Sequence, residues 1–411
     1  MAAGFPPMSA RGWLLMLLLL APAGCRDQEG RVAVLDPAAA APGSPEVQPA
    51  APLSPAAPVL ATEARSPTST VMPTATATPT HTPEPSPTPT ATVTPEPTMP
   101  PLPTATPVPA PRQLTTGGCC WRPFFLDGQV AFIDRPAPDA PAGIYAVPLE
   151  GGTPQLVESR LGSYVAGGAF LIYQEGDITT VERRPTGERW TVDTQGQPAT
   201  LSPDGDEVAW SLRDFEGAFD QRRAQLWRAP LAGAPADAEM TLLGGGLSAW
   251  LPGDRWLLTG RRSADEADRA LFVLDLTTGQ TFDLFRALQF RAVSVSPDGN
   301  WVVFLVAQDP TLDRNGIWLV RTDGSELRKL DWFGAYAWRG PGHLLYFPFQ
   351  PEADSHEVWL YDIEAGVSRR LTDPAVTPFK IAQGDFAVAP DGRSLVYVSA
   401  HDQNLWLLQL P

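Results

Sequence analysis

The sequence predicts an all-β fold: a seven-bladed β-propeller of four-stranded antiparallel blades, with six blades as the alternative, preceded by a disordered Pro/Thr-rich linker. Three observations support this prediction. A Pro-Asp-Gly turn recurs between apolar runs, a second strand–turn–strand element follows each copy, and no stretch carries a sustained helical period. Four-stranded units that repeat at this spacing and stack radially are typical of a propeller.

The turn recurs in "LSPDGDEVAWSL" (201–212), "VSPDGNWVVFLV" (295–306) and "VAPDGRSLVYVS" (388–399). Proline presets the second turn position, aspartate tolerates the third, and glycine takes the positive φ that closes the turn. Weaker copies at 125–134, 166–174, 250–260 and 338–348 bring the number of repeats to seven, spaced by about 37 to 50 residues. The motif residues are Ser202, Pro203, Asp204, Gly205, Ser296, Pro297, Asp298, Gly299, Pro390, Asp391 and Gly392.

Each repeat supplies strands A and B around this turn, and strands C and D follow as a second hairpin. Examples are "GIWLVRTDGSELRKL" (316–330) and "EVWLYDIEAGVSRRLT" (357–372). The B strands are apolar on both faces, which requires sheets covered on both sides, as between stacked blades. The second repeat, at 162–192, lacks the turn motif, so six blades stay a possible alternative to seven.

The last repeat ends after strand C, without a strand D. The segment "RQLTT" (112–116) is similar to the other D strands, such as "RRLT" (369–372). An open edge would expose unpaired backbone groups. We therefore expect Arg112–Thr116 to pair with Asn404–Leu410 and close the ring.

The Ser-Pro-Asp-Gly turn, the apolar B strand and the "IWLVRTDGSELRKL" hairpin resemble the WD-like repeats of the TolB family of propellers. The resemblance covers nearly all of residues 112–411. It implies the fold. Members of this family and related propellers include protein-binding periplasmic proteins, gating domains of peptidases, sugar lyases and surface lipoproteins, so it implies no single activity.

The N-terminus resembles an export signal, in which Arg11 precedes the apolar run "WLLMLLLLA" (13–21). "APA" (21–23) fits ordinary signal peptidase, and "AGC" (23–25) resembles the end of a bacterial lipobox. We expect a signal peptide at 1–24 and lipidation of Cys25. The alternatives are secretion without a lipid and a retained anchor.

Residues 25–111 predict a disordered linker. They are rich in Pro, Thr and Ala, and no aromatic residue lies between Trp13 and Trp121. Such a segment buries too little apolar surface to offset the entropy of ordering. Its Thr-Pro repeats favour polyproline II, which gives a tether with a reach on the order of 250 Å. We expect an exported domain held by a lipid anchor at the membrane's outer face or at the cell surface.

Charge argues against two classes of partner. Of 46 acidic and 30 basic side chains, seven and four lie in residues 1–111, which leaves residues 112–411 with a net charge of −13. Repulsion of phosphate disfavours nucleic acid and anionic lipid. We expect a monomer that binds a protein, peptide or glycan, with a polysaccharide lyase or hydrolase as the alternative and a purely structural role as a third option.

Alternating strand directions place the B–C loops and the D–A connections on one face of the disc, called here the B–C face. Several B–C loops are long and charged, and long loops on a rigid scaffold are the usual place for binding. The candidate residues there are Asp220, Arg222, Asp265, Glu266, Asp309, Asp313, Arg314, Asp354 and His356.

Other chemistry finds little support in the sequence. The four histidines are scattered, no metal-binding spacing or nucleophile elbow occurs, and we expect neither a metal nor a cofactor. Cys119 and Cys120 are adjacent. Three interpretations stay open for them: two small apolar residues at the start of a strand, a vicinal disulfide that stiffens the entry turn, or a redox or ligand-sensing pair.

Overall fold

A computed structural model of the chain describes residues 109–233 and 236–411. Within these ranges lie 27 β-strands and three single-turn 3-10 helices, Ala166–Gly168, Phe219–Gln221 and Leu312–Arg314. The described part is therefore all-β, as predicted. None of its helices has the length and apolarity that a bilayer crossing needs. The predicted signal peptide (1–24), Cys25 and the linker up to residue 108 lie outside the described residues.

Five sheets have four strands each, in a propeller arrangement. Blade I comprises β2 (Trp121–Leu126), β3 (Gln129–Asp134), β4 (Gly143–Pro148) and β5 (Gln155–Glu158). Blade II comprises β6 (Gly162–Val165), β7 (Phe170–Glu175), β8 (Ile178–Arg183) and β9 (Glu188–Asp193). Blade III comprises β17 (Phe290–Val295), β18 (Trp301–Val306), β19 (Gly316–Arg321) and β20 (Arg328–Lys329). Blade IV comprises β21 (Gly334–Trp338), β22 (His343–Pro348), β23 (Trp359–Asp362) and β24 (Val367–Arg370). The closing blade comprises β25 (Ile381–Val388), β26 (Ser394–Ser399), β27 (Leu405–Gln409) and β1 (Arg112–Gln113).

A seven-stranded sheet, called here the wide sheet, lies between blades II and III in the sequence. Its strands are β10 (Ala199–Leu201), β11 (Glu207–Arg213), β12 (Arg223–Pro230), β13 (Asp237–Leu251), β14 (Arg255–Arg261), β15 (Arg269–Asp275) and β16 (Thr281–Ala287). The first half of β13 pairs with β12 and the second half with β14. The sequence predicts two separate units here, whereas the structure joins them through this 15-residue strand.

Glycine makes this junction sterically feasible. A Cβ on Gly245 would lie 1.8 Å from the carbonyl oxygen of Thr259 on β14. The register of β13 against β14 shifts at this point, between Leu243 and Gly246. Only a residue without a side chain permits so close a backbone approach.

The predicted turns form as the sequence indicates. In the second clear copy the Ser296 hydroxyl donates to Asp298 and accepts the backbone N–H groups of Asn300 and Trp301. Gly299 has a φ of +73° and donates its N–H to the carbonyl of Ser296 at 2.8 Å. The buried serine hydroxyl thus satisfies the donors that the turn leaves without ladder partners.

Each motif glycine also contacts the preceding sheet. A Cβ on Gly205 would meet Phe170 at 2.9 Å, one on Gly299 would meet Pro252 at 2.3 Å, and one on Gly392 would meet Arg339 at 2.9 Å. The motif therefore both closes a hairpin and sets the distance between neighbouring sheets.

The core lies between the sheets. All six residues of β18 and all six of β26 are buried, which confirms strands covered on both faces. One apolar cluster joins Leu345 and Phe347 of β22 to Leu395 and Tyr397 of β26, and similar clusters bridge the other boundaries. Burial between blades, rather than within one, holds these sheets together.

The start of the described chain pairs with its end. Arg112 lies opposite Leu407 and Gln113 opposite Trp406 in an antiparallel ladder. Only these two residues of the predicted five-residue strand have strand geometry. The N–H of Leu114 still donates to the carbonyl of Leu405 at 2.8 Å, and Leu114 itself is buried.

Candidate functional site

The structure brings three of the candidate residues, Asp220, Asp309 and Arg314, into one connected network on the B–C face. Asp220, in the 3-10 turn after β11, forms an ion pair with Arg269 at the start of β15. Arg269 also donates to the carbonyl of Leu288 at 2.6 Å. The N–H of Leu288 in turn donates to the carboxylate of Asp309 at 3.1 Å. Three loops are thereby linked through the backbone of one residue.

Asp309 anchors the B–C loop of blade III. Its side chain is 1% exposed and also accepts the N–H of Thr311 at 2.9 Å. Arg314 lies 3.8 Å from this carboxylate and pairs with Asp268 of the wide sheet at 2.9 Å. With backbone donors and a guanidinium around it, the Asp309 carboxylate organises the loop rather than facing solvent.

A second cluster surrounds Glu266. Burial opposes ionisation of this carboxyl, but the backbone N–H of Arg262 and the guanidinium of Arg286 outweigh it and lower the pKa of Glu266. Arg262 and Arg286 also pair with Asp283 on β16. The B–C loop of β14 and β15 is therefore fixed to the outer strand of the wide sheet.

The remaining candidates have separate positions. Asp265, Asp313 and Asp354 are exposed, and Arg222 donates to the carbonyl of Gly217. His356 is half-buried, and its Nδ1 accepts the N–H of Ile381 at 3.2 Å. Burial, followed by the nearby Lys380, lowers the pKa of His356. This histidine belongs to the packing between blade IV and the closing blade.

Apolar side chains that were not among the predicted candidates also project from the B–C face. Leu312 is 81% exposed in the B–C loop of blade III, Phe215 is 65% exposed in that of the wide sheet, and Leu288 is 40% exposed between them. Leu161, Val376 and Trp121 are exposed on connections or strand starts of the same face. The signal for these residues was their apolar character within otherwise polar loops.

The innermost strands carry bulges at their B–C ends, a region called here the mouth. The register shifts after Trp121 in β2, after Arg291 in β17 and after Ile381 in β25. Within these shifts Arg122, Ala292 and Gln383 have φ values of +53°, +48° and +52°. Such conformations cost about 1–2 kcal/mol for an L-residue and concentrate at functional sites. No sequence pattern predicted these three positive-φ residues.

Contacts across blade boundaries fix the mouth. The Tyr336 hydroxyl of blade IV donates to the carbonyl of Ala292 of blade III at 2.6 Å. On the other side, the backbone N–H of Arg122 donates to Asp385 of the closing blade, and burial raises the pKa of that carboxyl. The Arg122 guanidinium lies 5.9 Å from the centre of the Trp121 ring. Trp121 is 45% exposed, whereas every other tryptophan in the described ranges is buried or partly buried.

Cys119 and Cys120 are joined by a disulfide next to the mouth. Both pack against the apolar cluster between blade I and the closing blade. The N–H of Cys119 donates to the carbonyl of Gln403 at 2.8 Å, and its sulfur lies 3.1 Å from the Thr115 hydroxyl. The pair thus connects the closing strand to the first inner strand, a placement that favours the structural interpretations.

Within the described ranges, no group of three or more His, Cys, Asp or Glu side chains is arranged to hold a metal ion. The fold and its faces therefore define a β-propeller whose polar surface is organised by arginine–carboxylate pairs.

The comparisons with known proteins agree with this class. No protein-family model and no curated protein matches the chain. Among solved structures, it is similar to an oligogalacturonate lyase in complex with manganese, with 14% identity over 75% of this chain and 98% of that one, at a TM-score of 0.51. It is also similar to the uncomplexed acylaminoacyl peptidase of Pyrococcus horikoshii, with 14% identity over 71% of this chain and 51% of that one, at a TM-score of 0.50.

A TolB from Agrobacterium tumefaciens is a further structural neighbour, with 16% identity over 63% of this chain and 92% of that one, at a TM-score of 0.36. At these identities the likenesses concern the fold alone, and the last TM-score is too low to argue from. Activity must be inferred from the chain's own residues.

Proposed function

We propose that the chain is an exported, tethered propeller of seven blades that binds a protein, peptide or glycan on its B–C face. The wide sheet then counts as two blades that share β13, because each half of β13 pairs with a different neighbour. Tethering follows from the predicted linker and from a lipid on Cys25. We expect the propeller to act as a monomer.

The observation that carries the binding proposal is the presentation of Leu288 and Leu312. Both side chains are exposed, yet Arg269 and Asp309 hold the backbone of Leu288, and the N–H of Asn315 donates to the carbonyl of Leu312. Exposed apolar groups on a fixed backbone within a polar surround are typical of protein-binding surfaces, because little entropy is lost on association. A protein or peptide is therefore the favoured partner for this part of the face.

A crosslinking experiment tests the proposal. The full chain with a photoreactive residue at Leu312 would be activated in its native envelope, and we expect one dominant adduct. That adduct should be lost in Leu288→Asp and kept in Val367→Asp, because Val367 is equally apolar but starts the outer strand β24. An adduct that is unaffected by Leu288→Asp would contradict the proposal.

The alternative function is cleavage of a polysaccharide. Asp385 favours it, since a half-buried carboxyl with a raised pKa beside Arg122 suits proton transfer. The fold neighbour that is a lyase of oligogalacturonate suggests an acidic polysaccharide as the first substrate to assay. Release of unsaturated or reducing ends by the chain, abolished in Asp385→Asn, would support an enzyme and displace the binding proposal.

A further inference from the structure

Three described arginines at the mouth form no ion pair. Arg122 lies on β2 and Arg291 on β17, and Arg213 reaches the inner half of β13, within 3.2 Å of where a Cβ on Gly246 would stand. Among the described residues, no carboxylate oxygen lies within 4.0 Å of any of these guanidinium groups. Arg122 and Arg213 are exposed, and Arg291 is partly so.

This arrangement reverses the charge of its surroundings. The propeller carries a net charge of −13, and further out on the same face Arg262, Arg269 and Arg314 are paired with carboxylates. Asp385 lies beside Arg122, and burial disfavours the charged form of this carboxyl. Arginines without an ion pair at the B–C ends of the inner strands of an acidic domain are complementary to a negatively charged ligand.

We propose that the mouth binds an acidic polypeptide segment of the partner protein. The inference rests on the proposed binding function and names the part of the partner that enters the centre of the face. Arginine forks bind carboxylates in pairs of hydrogen bonds, and side chains of Glu and Asp supply such groups at short intervals.

Two observations favour a polypeptide over an acidic glycan. β2, β17 and β25 are edge strands of their sheets, and one side of each strand is therefore open to main-chain hydrogen bonds of an extended peptide. The exposed apolar side chains of Leu288 and Trp121 lie on the same face, where they suit the apolar side chains of a protein.

Fluorescence anisotropy with the full chain tests this inference. The probe is a labelled ten-residue peptide of alternating Glu and Ala, compared with its Gln/Ala and Lys/Ala counterparts and with a labelled uronic-acid oligosaccharide. We expect the Glu/Ala peptide to bind at least tenfold more tightly than the other probes. The triple variant Arg122→Gln, Arg213→Gln, Arg291→Gln should weaken its binding at least tenfold.

A matched control separates site from net charge. Arg112, Arg369 and Arg393 lie on β1, β24 and the turn between β25 and β26, away from the mouth. Their triple change to Gln alters the net charge equally and should leave binding within twofold. The three mouth arginines changed to Lys keep the charge but lose the paired hydrogen bonds, so this variant should bind more weakly than the unaltered chain and more tightly than the Gln triple. Circular dichroism of each variant checks that it is folded.

The outcomes are decisive. Equal weakening in both Gln triples, no binding of the Glu/Ala peptide, or tighter binding of the oligosaccharide would overturn the inference. Failure of the proposed function is separate, because it is read from the Leu312 adduct and from Leu288→Asp. The peptide could bind through the mouth arginines while the Leu312 adduct still forms in Leu288→Asp. This result would support the mouth site and contradict the proposed binding surface at Leu288 and Leu312.

Discussion

The backbone N–H of Leu405 donates to the hydroxyl of Thr115 at 2.9 Å, across 290 residues of sequence. Thr115 is buried, and its hydroxyl also contacts the sulfur of Cys119 at 3.1 Å. One side chain therefore joins the segment after β1, the last strand β27 and the disulfide beside the mouth. Ring closure consists of this contact as well as the short ladder of β1.

Removing the Thr115 hydroxyl should weaken closure. In Thr115→Val the shape is kept, but the buried N–H of Leu405 loses its acceptor, and we expect a loss of about 1–3 kcal/mol in the free energy of unfolding. Urea unfolding measures it. Thr115→Ser keeps the hydroxyl and should lose clearly less, and equal losses in the two variants would reject the hydrogen-bond explanation.

A methyl group on Gly299 should be far more costly than one on Gly279. The two glycines have φ values of +73° and +70°, but a Cβ at 299 meets Pro252 at 2.3 Å, whereas one at 279 has open space. Gly279→Ala should cost about 1–2 kcal/mol for its backbone alone. Gly299→Ala should add about 1–3 kcal/mol of overpacking, measured by thermal unfolding. Similar costs would show that the turn does not set the spacing of the sheets.

Asp309 should be a stability residue on the B–C face. Asp309→Ala leaves the N–H groups of Leu288 and Thr311 without their acceptor, and we expect a loss of about 3 kcal/mol. Asp313→Ala, in the same loop but exposed, should change stability by less than about 0.5 kcal/mol. Hydrogen exchange at the Leu288 amide should accelerate in Asp309→Ala and not in Asp313→Ala. Unchanged exchange in Asp309→Ala would show that Asp309 does not anchor the loop.

Acid should destabilise the boundary that contains His356. Burial and Lys380 lower the pKa of this imidazole below its unfolded value of about 6.5, so the unfolded chain binds more protons in that range. The contribution of neutral His356 to the free energy of unfolding is fully present above about pH 6.5 and is lost as the pH falls through the lower, folded pKa.

Unfolding in urea at about pH 7.5 and pH 5.5 checks the sign. The loss on acidification should be smaller in His356→Gln than in the unaltered chain. His401→Gln serves as the control, since His401 is exposed in the loop between β26 and β27. An undiminished loss in His356→Gln would assign the acid sensitivity to other groups.

The fold was predictable because its signals are local. The Pro-Asp-Gly turns at 203–205, 297–299 and 390–392 need particular backbone conformations, and runs such as 301–306 are too apolar for a sheet with a wet face. Both are properties of short segments. The joining of two units through β13 was not predictable, because it depends on the contact between Gly245 and Thr259.

For the site, the sequence placed charged loops on one face but could not show which charged side chains are engaged in ion pairs or hydrogen bonds within the protein. The sequence predicted Asp309 and His356 as surface groups. In the structure they accept the backbone N–H groups of Leu288 and Ile381, which lie outside their own sheets, and so they stabilise contacts between sheets. The sequence by itself thus determined the repeat, the turns and the face on which loops gather. Only the tertiary structure decided that Arg122, Arg213 and Arg291 lie at the mouth without an ion pair, since charge pairing depends on distances between blades that no local pattern encodes.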